Sequence, residues 1–306
     1  FIGSWLARAL ADAGANVVAI DIKDEDLKVH SIKNVRYLNV DIRDYEKLKD
    51  ALKKNEIEYV FHLGAQAIVT IANKDPPTTF ATNIGGTWNL LEAARTLGTI
   101  KGIVVASSDK AYGDHETLPY TEEAPLIGRH PYDVSKSCTD LLAQAYHRTY
   151  GLPVAIARCG NVYGGGDLNW SRVVPGTIRS ILQNERPVIR SDGTPTRDYV
   201  YVKDVVNAYM VLGERVSDAG VTGEAFNFGY NDPKSVLEIV NLILEQSGAN
   251  LKPVVEGNAP NEIQKQYLLS EKAQRVLGWK PTYALEKGLK ETVEWYREYL
   301  GSLERV

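Results

Sequence analysis

The chain lacks the usual marks of several protein classes. Only two cysteines, Cys138 and Cys159, occur in 306 residues. That is too few for a disulfide framework or a zinc pattern, so a reduced, cytoplasmic setting and no metal are expected. No apolar run approaches the ~20 residues that a membrane-spanning helix needs. Lys and Arg number 35 against 39 Asp and Glu, a net charge of −4, which argues against a nucleic-acid or anionic-membrane partner. Nothing in the composition resembles a signal peptide, and there is no internal repeat or low-complexity tract. Glycine is sparse at the start, where a dinucleotide-binding loop would need it, and only Gly3 stands there. The sequence begins at Phe1 as though a helix were already under way. A first strand and most of a glycine loop are therefore expected to lie outside it.

What remains is an ordinary globular composition, 44% hydrophobic and 24% charged. Apolar runs rich in β-branched residues recur at 16–21, 35–41, 59–65, 101–108 and 153–159. Several lack polar–apolar alternation, as parallel strands covered on both faces do. Helical spacing lies between them. Ile84, Trp88, Leu91 and Ala94 form one stripe that stops at Gly98, and Val134, Cys138, Leu141, Leu142 and Ala145 form another that stops at Gly151. Strand–helix alternation predicts an α/β protein with a doubly wound parallel sheet. After Gly164 the punctuation by Gly, Pro and Asp becomes denser. The expected division is a dinucleotide-binding domain over 1–163 and 198–230, with "EAFNFG" (224–229) returning to the sheet. Residues 164–197 and 231–306 form a smaller substrate-binding α/β region.

Two features point to chemistry. Asp21 closes a strand 18 positions after Gly3, near the ~20 expected of a carboxylate that binds adenosine ribose. It would repel a 2′-phosphate and so favours NAD over NADP, although Lys23 beside it favours the reverse, and a strand-end turn cap is the structural alternative. Tyr132 and Lys136 stand four apart at a helix start, on one face. A phenol with a reference pKa near 10 is ionised about one part in a thousand at pH 7. A nearby ammonium and an oxidised nicotinamide would have to contribute about 4 kcal/mol to make it a base.

These marks, with "FIG", "DIRD", "FHLGAQ", "NIGGTWNLLEA", "YDVSK", "RCGNVYGGGD" and "RDYVYVKDV", resemble the extended short-chain dehydrogenase/reductases that act on nucleotide sugars. The resemblance runs nearly the whole length. It implies a Rossmann domain holding NAD with Gly3, Asp21, Asp41, Ile42, Leu63, Ala65, Gln66, Asn83, Tyr132 and Lys136. It implies Ser108 as the hydrogen-bonding partner of the reacting hydroxyl, Tyr132 as base, and Asn161 and Arg197 as contacts to the substrate's diphosphate. It also implies a homodimer through helices 82–98 and 133–150.

Within that family the triplet Ser108-Asp109-Lys110 is similar to that of CDP-glucose 4,6-dehydratases, as is "GNVYGGGDLNW", whereas 4-epimerases carry no titratable pair there. The loop from 113 to 130 is more like those of epimerases and GDP-mannose dehydratases. A 4,6-elimination needs an acid at C6 and a base at C5, each typically worth roughly 10²–10⁴-fold. Asp109 is expected as the acid, and Lys110 as either the base or an electrostatic stabiliser. The expected product is a 4-keto-6-deoxy sugar nucleotide. The alternatives are a 4-epimerase, a non-catalytic NAD-binding scaffold and, for the Asp–Lys pair, a merely solvated turn. His62, Trp88 and both cysteines are expected to pack rather than react, and the terminal amphipathic helix to present a solvated charged face.

Overall fold

The computed structural model describes residues 1–30, 32, 34–258 and 263–303. The helices are α1 Ile2–Asp12, α2 Glu25–Val29, α3 Tyr45–Lys54, α4 Val69–Lys74, α5 Pro76–Phe80, α6 Gly86–Leu97, α7 Pro131–Tyr150, α8 Val173–Leu182, α9 Val202–Arg215, α10 Val236–Ser247 and α11 Leu285–Leu303. The first strands are β1 Val17–Asp21, β2 Val35–Asn39, β3 Tyr59–His62, β4 Gly102–Ala106, β5 Val154–Cys159 and β6 Asn161–Tyr163. They are followed by β7 Val188–Ile189, β8 Thr196–Arg197, β9 Tyr199–Tyr201, β10 Ala225–Phe228, β11 Lys234–Ser235, β12 Val254–Val255 and β13 Lys265–Gln266.

The central parallel sheet runs β10-β5-β4-β3, with β10 returning beside β5. Successive residues of its middle strands enter different cores. Ile103, Val105, Val154 and Ile156 pack with Leu91 of α6 and Ala143 of α7. Val104, Ala155 and Ala157 join Leu6 of α1 and Val205 of α9. Both faces are dry, which is why these strands read as unbroken apolar runs. Strands β1 and β2 pair in parallel with each other and carry no ladder bonds to β3 among the described residues, so the sheet is divided at that point.

Both expected helix stops hold: Gly98 and Gly151 cap α6 and α7 with φ of 65° and 67°, a region that glycine enters without steric cost. The expected packing of Trp88 does not hold. Leu91 and Ala94 on the same helix are buried, but Trp88 is 57% exposed, on the side of α6 turned away from the core.

The second region is built from short pairings: β12 with β7, β9 with β6, and β11-β8-β13. Its helix α11 places Leu289, Val293 and Tyr296 in the same apolar cluster as Val104 and Leu6, so one core runs beneath both regions.

Candidate active site

Chain direction alone gathers the expected residues. Asp21, Asp41 with Ile42, Leu63 to Gln66, Ser108 and Asn161 all stand at or just beyond the carboxyl ends of β1 to β5. That edge is where open α/β sheets bind their ligands. At the β1 end, Asp21 is exposed, and its Oδ1 accepts the Lys23 N–H at 3.2 Å. Asp41 is held by Arg43 through Nε at 2.9 and 3.0 Å and Nη2 at 2.5 Å, which draws its carboxyl below the usual range. Ile42 lies so close to Gly86 that a Cβ there would meet its side chain at 2.5 Å.

Asn83 sits in a π-helical turn, Ala81–Gly85, that leads into α6. Its buried amide receives the Gln66 N–H at 2.7 Å and donates to the Gln66 carbonyl at 3.0 Å and to Ser135 Oγ at 2.9 Å. These bonds pin the loop after β3 to α7. His62 belongs to the same scaffold: Nε2 lies 2.9 Å from Thr87 Oγ1, and burial takes its pKa down to about 3, so it packs as a neutral ring.

The reaction end is built where β4 stops. Ser108 caps a single 3₁₀ turn, Asp109–Tyr112, by accepting the Lys110 N–H at 3.2 Å. Its hydroxyl donates to Asp109 Oδ1 at 3.0 Å. Asp109 is 1% exposed, and its Oδ2 has no hydrogen-bond partner among the described residues. Burial raises its pKa, outweighing the attraction of Lys110, the Ser108 bond and the charge of Arg197. The solvated-turn alternative therefore fails for Asp109: this carboxyl is dry. Lys110 is partly buried and donates through Nζ to Gln266 Oε1 at 2.5 Å.

The first turn of α7 brings Tyr132 towards Ser108, whose hydroxyl draws the phenol's pKa down. Burial and the Asp109 charge act the other way and prevail, lifting the phenol to about 12. The lowered phenol pKa expected from sequence is thus not produced by the protein's own groups. Lys136 is buried beneath, donating to the Ala106 carbonyl at 2.8 Å, and burial brings it down to about 8. Among the described residues it makes one bond through an ammonium that can make three, and with exposed Asp21 at the far end this donor and acceptor set fits a dinucleotide.

Arg197 is 5% exposed and donates to the carbonyls of Thr196 at 2.8 Å and Gln264 at 3.4 Å, so part of its fork supports backbone. The Asn161 main chain is tied to the Asp198 carbonyl at 2.7 Å. Three polar groups around this site had no sequence signal. Gln266 reaches it from strand β13. Asp133, beside Tyr132, is buried with its pKa raised, mainly by burial and against the attraction of Lys110. Arg158 grips Asp140 at 2.8 and 2.9 Å inside the protein and fixes α7 to β5.

Comparison with known proteins decides the family. The family model described as GDP-mannose 4,6 dehydratase matches residues 1–292. The chain belongs to this family. Among similar proteins, CDP-glucose 4,6-dehydratase of Salmonella typhimurium is 33% identical across 98% of this chain and 89% of its own length. UDP-glucose 4-epimerase of Mycolicibacterium smegmatis is 32% identical across 97% and 96%. The Thermotoga maritima UDP-glucose 4-epimerase, solved with UDP-glucose, superposes with a TM-score of 0.90 at 33% identity, covering 98% of this chain and 96% of that one. The dTDP-glucose 4,6-dehydratase of Streptomyces venezuelae, solved with NAD, gives 0.87 at 29% identity, covering 99% and 95%. Membership makes this chain an enzyme with a Rossmann-type core, and both reaction types occur among its relatives.

Proposed function

We propose that the protein is an NAD-dependent 4,6-dehydratase of a nucleoside-diphosphate hexose, similar to CDP-glucose 4,6-dehydratase. The observation that carries this reading is the buried Asp109 carboxyl next to Ser108, with a raised pKa and an oxygen that has no hydrogen-bond partner among the described residues. A raised pKa suits a carboxyl to carry a proton to a departing hydroxyl, and a 4-epimerase has no use for such a group. Bound NAD supplies the hydride acceptor and donor of this chemistry. Ser108 and Tyr132 hold the C4 hydroxyl, and Tyr132 takes its proton. Asp109 gives its proton to the C6 hydroxyl as the C–O bond breaks, while Lys110 acts at C5 as base or as a fixed cation. Lys136 holds the nicotinamide ribose and Asp21 the adenosine ribose. Asp41, Ile42, Leu63, Ala65, Gln66 and Asn83 shape the intervening wall, with Gly3 at the start of α1. Asn161 and Arg197 hold the diphosphate, whose oxygens the planar arginine fork can take two at a time.

Residues 1–163 and 198–230 are the cofactor domain in this reading, and 164–197 with 231–306 the substrate region. Homodimerisation through α6 and α7 is supported by the side chains these helices expose: Trp88 at 57%, Leu141 at 55% and Tyr150 at 57%. No helix of the described residues is long and apolar enough to cross a membrane.

Incubation of the purified protein and NAD with CDP-, dTDP-, UDP- and GDP-hexoses tests the proposal. One of them should yield a product lighter by one water. Mass-neutral conversion of every accepted sugar would make the protein an epimerase.

A further inference from the structure

Gln266 lies far from the reaction loop in sequence and meets it in space. Its side chain is fully buried, and the hydrogen bonds it makes there both go to the Asp109–Lys110 pair. Oε1 accepts from Lys110 Nζ at 2.5 Å, and Nε2 donates to the Asp109 carbonyl at 3.2 Å. The orientation of the amide is dictated by chemistry: an ammonium only donates and a main-chain carbonyl only accepts, so the fork fits one way round. Asparagine and glutamine are the side chains that offer an acceptor and a donor on one plane, and the extra methylene of glutamine gives the longer reach.

The segment carrying it is firmly held. Tyr120 donates its N–H to the Tyr267 carbonyl at 3.0 Å and accepts from the Leu269 N–H at 2.8 Å. In register, Gln266 stands directly opposite Arg197 on β8. The strand pair that presents the diphosphate-binding candidate thus also presents the clamp on the elimination pair.

We infer that Gln266 is a positioning residue for elimination, fixing the Lys110 amino group and the Asp109 turn relative to the strand that seats the substrate. The inference rests on the dehydratase reading. It touches neither Tyr132 nor Lys136, so oxidation at C4 should proceed without it while loss of water falters.

The test uses the full chain with NAD and the accepted sugar nucleotide. Gln266→Met preserves volume and removes both bonds. Product should form roughly tenfold or more slowly, with KM changed less than about twofold and enzyme-bound reduced cofactor building up. Gln266→Glu retains an acceptor for Lys110, so it should keep more of the rate and accumulate less reduced cofactor. It also serves as the measurable variant if Gln266→Met fails to fold. Equal slowing of oxidation and elimination, or undiminished turnover, overturns the positioning role and leaves the dehydratase reading intact. Wild-type turnover without loss of water overturns that reading, and this inference with it.

Discussion

Asp21 and Asp109 occupy equivalent places in the topology, each at the carboxyl end of a parallel strand or a few residues beyond it, yet their surroundings are opposite. Asp21 lies open to solvent, its nearest partner a main-chain N–H at 3.2 Å. Asp109 is sealed, bonded to one serine hydroxyl and raised in pKa by burial. In the proposed reading, solvation more than position separates their tasks. An open carboxylate accepts hydrogen bonds from ligand hydroxyls, whereas a dry one has its pKa raised and is better suited to passing a proton to a leaving group.

The sharpest way to break this contrast is to remove the proton while keeping the shape. Asp109→Asn should lower product formation roughly 10²–10⁴-fold and stall after oxidation, visible as reduced-cofactor absorbance. Tyr132→Phe should lose a comparable rate without any such absorbance, because it blocks the earlier step. A wild-type rate in Asp109→Asn would place this carboxyl outside the chemistry. Next in size, Arg197→Ala should weaken substrate binding by about 2–4 kcal/mol, the range for charge-assisted bonds to a diphosphate. Isothermal titration with the accepted sugar nucleotide measures it, and unchanged affinity would confine Arg197 to its backbone contacts. Asp21→Ala should raise the NAD dissociation constant about tenfold, the modest loss fitting an exposed contact. Fluorescence titration checks it, and a larger effect than at Arg197 would invert the ranking.

The strands and the two long helices were legible in the sequence because β-branched runs and helical stripes are local. Ser108, Tyr132 and Lys136 were legible too, since a strand end and a helix start put them near one edge. The dryness of Asp109 was not, because its immediate neighbours, Ser108 and Lys110, are polar and read as a loop. It is enclosed by the fold, and the Gln266 side chain that contacts its main chain comes from more than 150 positions away. "KQYLL" carries no periodic or motif signal by which Gln266 could be singled out. The Arg158–Asp140 pair is illegible for the same reason: each looks like a surface charge until α7 lies across β5. Trp88 erred in the other direction, since helical spacing marks a stripe without saying which of its members has a neighbour to cover it. The lifted phenol of Tyr132 also depends on burial and on Asp109, neither visible in a Tyr–Lys spacing.

The expected effect on stability, with little on turnover, lies at His62. Unfolded histidine binds a proton near pH 6.5, while buried His62 resists until about 3. Between those values the unfolded state binds more protons, so the contribution is present in full above about 6.5 and lost as pH falls, by up to about 1.4 kcal/mol per unit. His62→Gln should flatten that slope in urea unfolding measured across acid pH, with little change in turnover. A slope identical to wild type would mean that the ring titrates freely.

One measurement tests the central claim most directly. A sugar nucleotide deuterated at C4 is converted in light water, and the unlabelled substrate in heavy water. The account predicts that the C4 label moves to C6 of the same sugar, and that one solvent deuteron arrives at C5 in a product lighter by water. Retention of the C4 label, with unchanged mass and no solvent deuterium, would contradict it.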